Sequence, residues 1–145
     1  MFENTGAVFS FSVDDVVEAQ EFYEQKLGLR TTLESGDEDY AVLWLHLSGG
    51  SSVLIYPKLD HIPATFTLLN FVVEDIDDVV DQLTSRGVRF LRYDQFGADD
   101  KGIVRGEDRD MAWFSDPAGN NHSVARPKTP SSSLSSAVGG GPHGG

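Results

Sequence analysis

VFSFSVDDVVEAQEFYEQKLG at residues 8–28 and LLNFVVEDIDDVVDQLTSRG at residues 68–87 lie 60 positions apart and have the same organisation. Each opens on an apolar segment, passes an Asp, runs on at helical spacing and closes on a Gly that precedes another apolar segment. Val16, Ala19, Tyr23 and Leu27 recur at intervals of three and four, as do Ile76, Val79, Val80 and Leu83, so each helix has one face to bury. Asp15 with Glu18, and Asp75 with Asp78, stand where an N-cap carboxylate and its partner satisfy free N–H groups at a helix start. Gly28 and Gly87 stand where a left-handed C-cap is wanted. The chain therefore uses a strand–helix–strand module twice.

Outward from these two stretches the pattern turns to period two. The first half predicts strands from Leu29, over 40–47 and over 52–56, with GDED (36–39) and SGGSS (48–52) as turns. The second half predicts strands over 88–93, 111–115 and 121–125. Residues 94–110, rich in Gly and charge, read as a lid-like excursion or an ordinary surface loop. From Pro127 the composition collapses to Ser, Gly and Pro, which reads as a disordered tail over 127–145. The fold class is α+β, with two tandem βαβββ modules at about 6–57 and 65–126 in a single domain of residues 1–126.

A chain of 145 residues in this arrangement buries one shared core more readily than two small separate ones. No apolar run approaches the roughly 18 residues that would span a membrane. There is no cysteine and no signal-like N-terminal segment, so a cytoplasmic protein is expected. The formal net charge of −12, from 11 basic and 23 acidic residues, opposes a phosphate-backbone partner. Neither nucleic acid nor membrane is expected as a partner.

Two βαβββ modules, an Asp-led helix containing Phe22-Tyr23 and then Leu27-Gly28-Leu29, and a closing Asp116-Pro117-Ala118-Gly119-Asn120 together resemble the vicinal oxygen chelate superfamily. That group includes glyoxalase I, bleomycin resistance proteins, fosfomycin resistance transferases and extradiol dioxygenases. The resemblance covers residues 6–126 and implies curved mixed sheets around a cleft. It also implies where metal ligands would stand: a His seven residues before each helix-leading Asp, and a Glu three beyond the Asn of the closing turn. Here those positions read Val8, Leu68 and Ser123. Two have no donor atom and the third is a neutral hydroxyl, so no metal and no cofactor are expected.

Four histidines remain, His46, His61, His122 and His143, with no metal-site spacing among them. If Val8 and Leu68 mark a concave face, then Ser10, Ser12, Asn70 and Val72 share it, with Trp44 and His46 on one side of their strand and Trp113 as the second module's counterpart. The candidate ligand-binding residues are Ser10, Trp44, His46, Asn70, Trp113, His122 and Ser123. Aromatic walls with a few fixed polar groups are what small-molecule pockets look like. The same aromatics would also serve a core or a dimer contact.

Three functions stay open at the level of sequence. The first is metal-independent binding of a small cationic or aromatic compound, of the bleomycin resistance type. The second is a glyoxalase-like lyase, isomerase or transferase using side-chain acid–base groups, for which Tyr40, His46, His122 and Asp110 are candidates. The third is a non-catalytic dimeric scaffold. A homodimer is expected in each case, because members of this fold commonly pair modules between subunits and the module edges would otherwise be exposed.

Overall fold

The structure, a computed structural model, describes residues 1–36 and 40–128. The predicted turn over 36–39 therefore lies outside the described residues except for Gly36, as does the predicted tail from 129 onward. The chain divides into two compact units, one of residues Met1–Pro63 and one beginning at Ala64.

The first unit runs β1 (Phe9–Val13), α1 (Val16–Glu21), β2 (Arg30–Ser35), β3 (Ala41–His46) and β4 (Ser52–Pro57). Its sheet has the order β1-β4-β3-β2, with β1 parallel to β4 and the other pairs antiparallel. The parallel pair requires the helical crossover, and α1 supplies it, packing on β3 and β4. Val13, Tyr23, Leu43, Leu45 and Ile55 are sealed between helix and sheet.

As the sequence predicts, Asp15 caps α1, its Oδ1 accepting from the N–H groups of Val17 (3.0 Å) and Glu18 (3.1 Å). The helix does not continue as a regular α-helix to Leu27, however. Residues Phe22–Lys26 form a π turn, and the Leu27 N–H reaches back five residues to the Phe22 carbonyl. Phe22 and Tyr23 are both buried, edge to face at 5.2 Å. Gly28 then takes the left-handed conformation foreseen for it.

The second unit repeats the plan: β5 (Thr67–Val72), α2 (Ile76–Ser85), β6 (Phe90–Leu91), β7 (Val104–Arg105), β8 (Arg109–Ser115) and β9 (Asn121–Pro127). Its sheet has the order β5-β9-β8-β6, with β5 parallel to β9 and β7 pairing β8. Asp75 caps α2 through the Asp78 N–H, and Ile76, Val80 and Leu83 face inward. The strand predicted over 88–93 shrinks to Phe90–Leu91, and β9 runs two residues past its predicted end. Pro127 thus belongs to the sheet rather than to a tail, and Lys128 pairs with Asp110 at 3.1 Å.

Residues 94–110, read as a lid-like excursion or an ordinary surface loop, are tied down at several points. Asp99 Oδ1 accepts from the N–H groups of Lys101 and Ile103, closing a tight loop, and β7 joins the sheet. Arg105 then clamps Asp77 of α2 with two hydrogen bonds (2.7 and 3.0 Å) and also reaches Asp99, while Lys101 reaches Asp77 and Asp81. Gly102, at φ +91°, passes so close to β6 that a side chain there would meet the Leu91 carbonyl at 3.0 Å. The segment is a strap fastened to the helix.

Candidate functional site

Strand register sorts the candidate residues by face. In the first unit Arg30 pairs with His46, Thr32 with Trp44, Trp44 with Leu54, and Ser10 with Leu54. Ser10, Trp44 and His46 consequently lie together on the face turned away from α1, joined by Ser12, Arg30, Thr32, Ser52 and Tyr56. Their neighbours in the strands, Leu43, Leu45, Val53 and Ile55, point the other way into the core. Trp44 and His46 are half-buried and Ser10 is exposed, so the face is accessible rather than packed. His46 is held from both sides, Nε2 by the Thr32 hydroxyl at 2.8 Å and Nδ1 by the Ser52 hydroxyl at 3.4 Å. The linker histidine His61 folds back to place Nδ1 2.7 Å from Ser12 Oγ.

In the second unit Asn70 pairs with Ser123 and Trp113 with Ser123, which puts these three on the face turned away from α2. Ser123 Oγ donates to Asn70 Oδ1 at 2.6 Å. Trp113 is half-buried, and Tyr93 meets it edge to face at 5.4 Å, followed by Phe96 at 6.0 Å from Tyr93. Phe96 is 60% exposed at the start of the strap. Sequence reading gave Tyr93 no site role, placing it at the end of the strand predicted over 88–93, and missed Phe96 because an aromatic in a Gly- and Asp-rich loop carries no periodicity that assigns it a face.

His122 stands apart from this group. It pairs with Phe114, and its ring lies against Phe114 (5.7 Å) and Phe71 (6.0 Å), fully buried on the side of the sheet opposite Ser123. Successive strand residues point to opposite faces, so His122 and Ser123 cannot share one. Its Nδ1 accepts from the Leu69 N–H at 3.3 Å. Burial pushes its pKa down to about 4, opposed only by Asp116 at 4.0 Å, so the ring is neutral at pH 7. Asp116 meanwhile organises the closing turn, accepting from the N–H groups of Ala118 and Asn120 and from the Asn120 amide.

Two of the suggested acid–base groups also prove separate. Asp110 is buried among Lys128, Arg126 and Arg105, whereas Tyr40 is exposed beside β3. Metal ligation has no support from the donor set: Val8 and Leu68 offer no donor, and Ser123 is engaged with Asn70. Among the described residues no three His, Asp or Glu side chains form a group able to hold an ion. The residues present do not fit the superfamily's metal.

The pattern of the Glyoxalase/Bleomycin resistance protein/Dioxygenase superfamily matches residues 7–124, spanning both modules. The chain belongs to this superfamily. Similar solved structures within the glyoxalase fold include TnmS3, an antibiotic-binding protein from Streptomyces sp. CB03234 (22% identity, 86% of this chain and 98% of that one, TM-score 0.64). Another is a glyoxalase family protein from Bacillus anthracis (19% identity, 88% and 100% covered, TM-score 0.64). A third is the glyoxalase family protein from Enterococcus faecalis (20% identity, 86% and 99% covered, TM-score 0.63). No curated protein matches the sequence significantly. Among the described residues no helix is long and apolar enough to cross a membrane.

Proposed function

We propose that this glyoxalase-superfamily chain binds a small organic molecule with a flat aromatic part, without a metal, on the sheet faces turned away from the helices. The observation that carries the reading is the character of those faces. Each holds a half-buried Trp among fixed polar groups, one beside Ser10, Thr32 and His46 with Arg30 at the sheet edge, and the other beside Asn70, Ser123 and Tyr93. Rings with a few fixed polar groups suit a planar ligand, and the net charge of −12 favours one bearing positive charge. Antibiotic binding by TnmS3, which has the same fold, fits a ligand-binding reading.

The test is tryptophan fluorescence during titration with a panel of planar cationic and neutral aromatic compounds. At least one should quench or shift the emission, and Trp113→Ala should weaken its binding by about two- to thirty-fold, the worth of one desolvated ring contact. Saturable binding that Trp44→Ala and Trp113→Ala both leave unchanged would remove these faces from consideration.

A second reading, metal-free lyase, isomerase or transferase chemistry, has one observation in its favour: the Ser12 hydroxyl lies 2.7 Å from the His61 imidazole, a geometry suited to proton transfer. A Ser12→Ala chain that binds the ligand normally but no longer converts it would support this reading. An unchanged ligand after prolonged incubation with the parent protein would reject it.

A further inference from the structure

We propose that a hollow at the outer edge of the first sheet binds a small zwitterion, its carboxylate on Arg30 and its ammonium on Glu24. The hollow has a volume of about 430 Å³ and is lined by Glu24, Leu29, Arg30, Thr31, Thr32 and His46. That volume falls within the range of small-ligand sites. It shares His46 with the aromatic face discussed above, yet it requires no ring to lie there.

The hollow exists because β2 is an edge strand, reachable from both of its faces. Thr31 pairs with Leu45 and so points to the helix side, where its hydroxyl donates to Glu24 Oε2 at 2.5 Å and accepts from Gln20 Nε2 at 3.3 Å. Arg30 and Thr32 point the other way, beside His46. The two sides therefore present opposite charges. Glu24 comes from the π turn, its side chain fixed through one oxygen, and its second oxygen has no bonding partner among the described residues. Arg30 has no ion pair or hydrogen bond through its guanidinium among the described residues, and it does not pair with Glu24.

An anion alone would meet the field of a chain of charge −12 and the nearby Glu24; a cation alone would meet Arg30. A molecule with both charges satisfies both groups and carries no net charge to be repelled. Arg30 offers a planar fork for a carboxylate, the Thr32 hydroxyl stands beside it, and Leu29 supplies an apolar surface for the connecting carbons.

The experiment is a ¹⁵N–¹H NMR titration at low ionic strength with glycine, 4-aminobutyrate and 6-aminohexanoate, against hexanoate and hexylamine as single-charge controls. At least one aminocarboxylate should saturate, with shifts centred on residues 24, 29–32 and 46, and should bind about tenfold more tightly than either control. Arg30→Gln should remove that advantage without weakening hexylamine binding, and Glu24→Gln should do the same without weakening hexanoate binding. Both changes are at exposed positions, and the spectrum itself reports that the fold persists. Equal affinities for all probes, shifts centred elsewhere, or no saturation would overturn the proposal. None of these aliphatic probes tests the aromatic face, so either idea can fail alone.

Discussion

At the scale of single residues, the sequence ranks His122 and Ser123 together, but alternation along β9 separates them. His122 is a core residue whose ring fills space between Phe71 and Phe114 and whose Nδ1 satisfies the Leu69 N–H. Its depressed pKa has a consequence for acid stability. Above pH 6.5 the ring is neutral in both folded and unfolded chains; between 6.5 and about 4 the unfolded chain takes up a proton that the folded one refuses. Stability should thus fall across that window, with a slope approaching about 1.4 kcal/mol per pH unit, and this contribution should level off below it. His122→Gln, which keeps an acceptor for Leu69, should be less stable at pH 7 by about 1–3 kcal/mol through lost packing, with a flatter profile from pH 6.5 to 4. Urea unfolding at a series of pH values measures both; a parallel profile would show that another group titrates there.

At the scale of elements, the strap from Asp94 to Arg105 combines an aromatic end with a charged latch. Tyr93 adjoins Trp113 and Phe96 adjoins Tyr93, and Arg105 and Lys101 hold the other end to α2. The Arg105 hydrogen bonds keep the Asp77 carboxyl down at about 2, so the latch is complete above pH 3.8 and opens as pH falls towards 2. Because Asp77 and Arg105 are each more than 40% exposed, solvent screening limits their worth. Arg105→Ala should cost only about 1 kcal/mol in global stability, yet amide exchange over residues 94–106 should rise sharply. Unchanged exchange there would mean that β7 and the Asp99 loop hold the strap without the latch. The helix caps offer a parallel test: Asp15→Ala and Asp75→Ala should each lower stability by about 1 kcal/mol. Both modules were legible because cap, apolar period and terminal Gly agree in each, although the short β7 added to the second one was not. The π turn was not, since its cause is the packing of Phe22 and Tyr23 against a sheet built from distant residues.

At the scale of the whole molecule, two expectations await solution measurements. Purified protein should carry no stoichiometric divalent ion and chelator should leave its Tm unchanged, because Val8, Leu68 and Ser123 occupy the superfamily's ligand positions. Elemental analysis finding close to one Zn, Ni, Mn or Fe per chain would contradict this. The β1 edge of the first sheet and the β5 edge of the second, together with exposed Phe9 on β1, Val8 just before it and Phe66 before β5, are the surfaces that a homodimer would cover. Sedimentation should show a dimer across the micromolar range, and a monomer there would reject it.

The two modules, the capped helices and the residues at the superfamily's metal positions follow from the chain alone. Those are local facts, set by spacing along the chain and by whether a side chain has a donor atom. Strand alternation also put Ser10 with Ser12, Asn70 with Val72 and Trp44 with His46 on one side of their own strands, whereas the register between strands brought Ser10 to Trp44 and Asn70 to Trp113. Which candidates meet depends on the tertiary structure: it turned His122 into the core, brought His61 to Ser12, fastened the 94–105 segment to α2 and opened a hollow lined by Glu24 and Arg30. Loop residues and edge strands take their positions from long-range packing and charge pairing, and the period of a sequence does not encode where such partners come from.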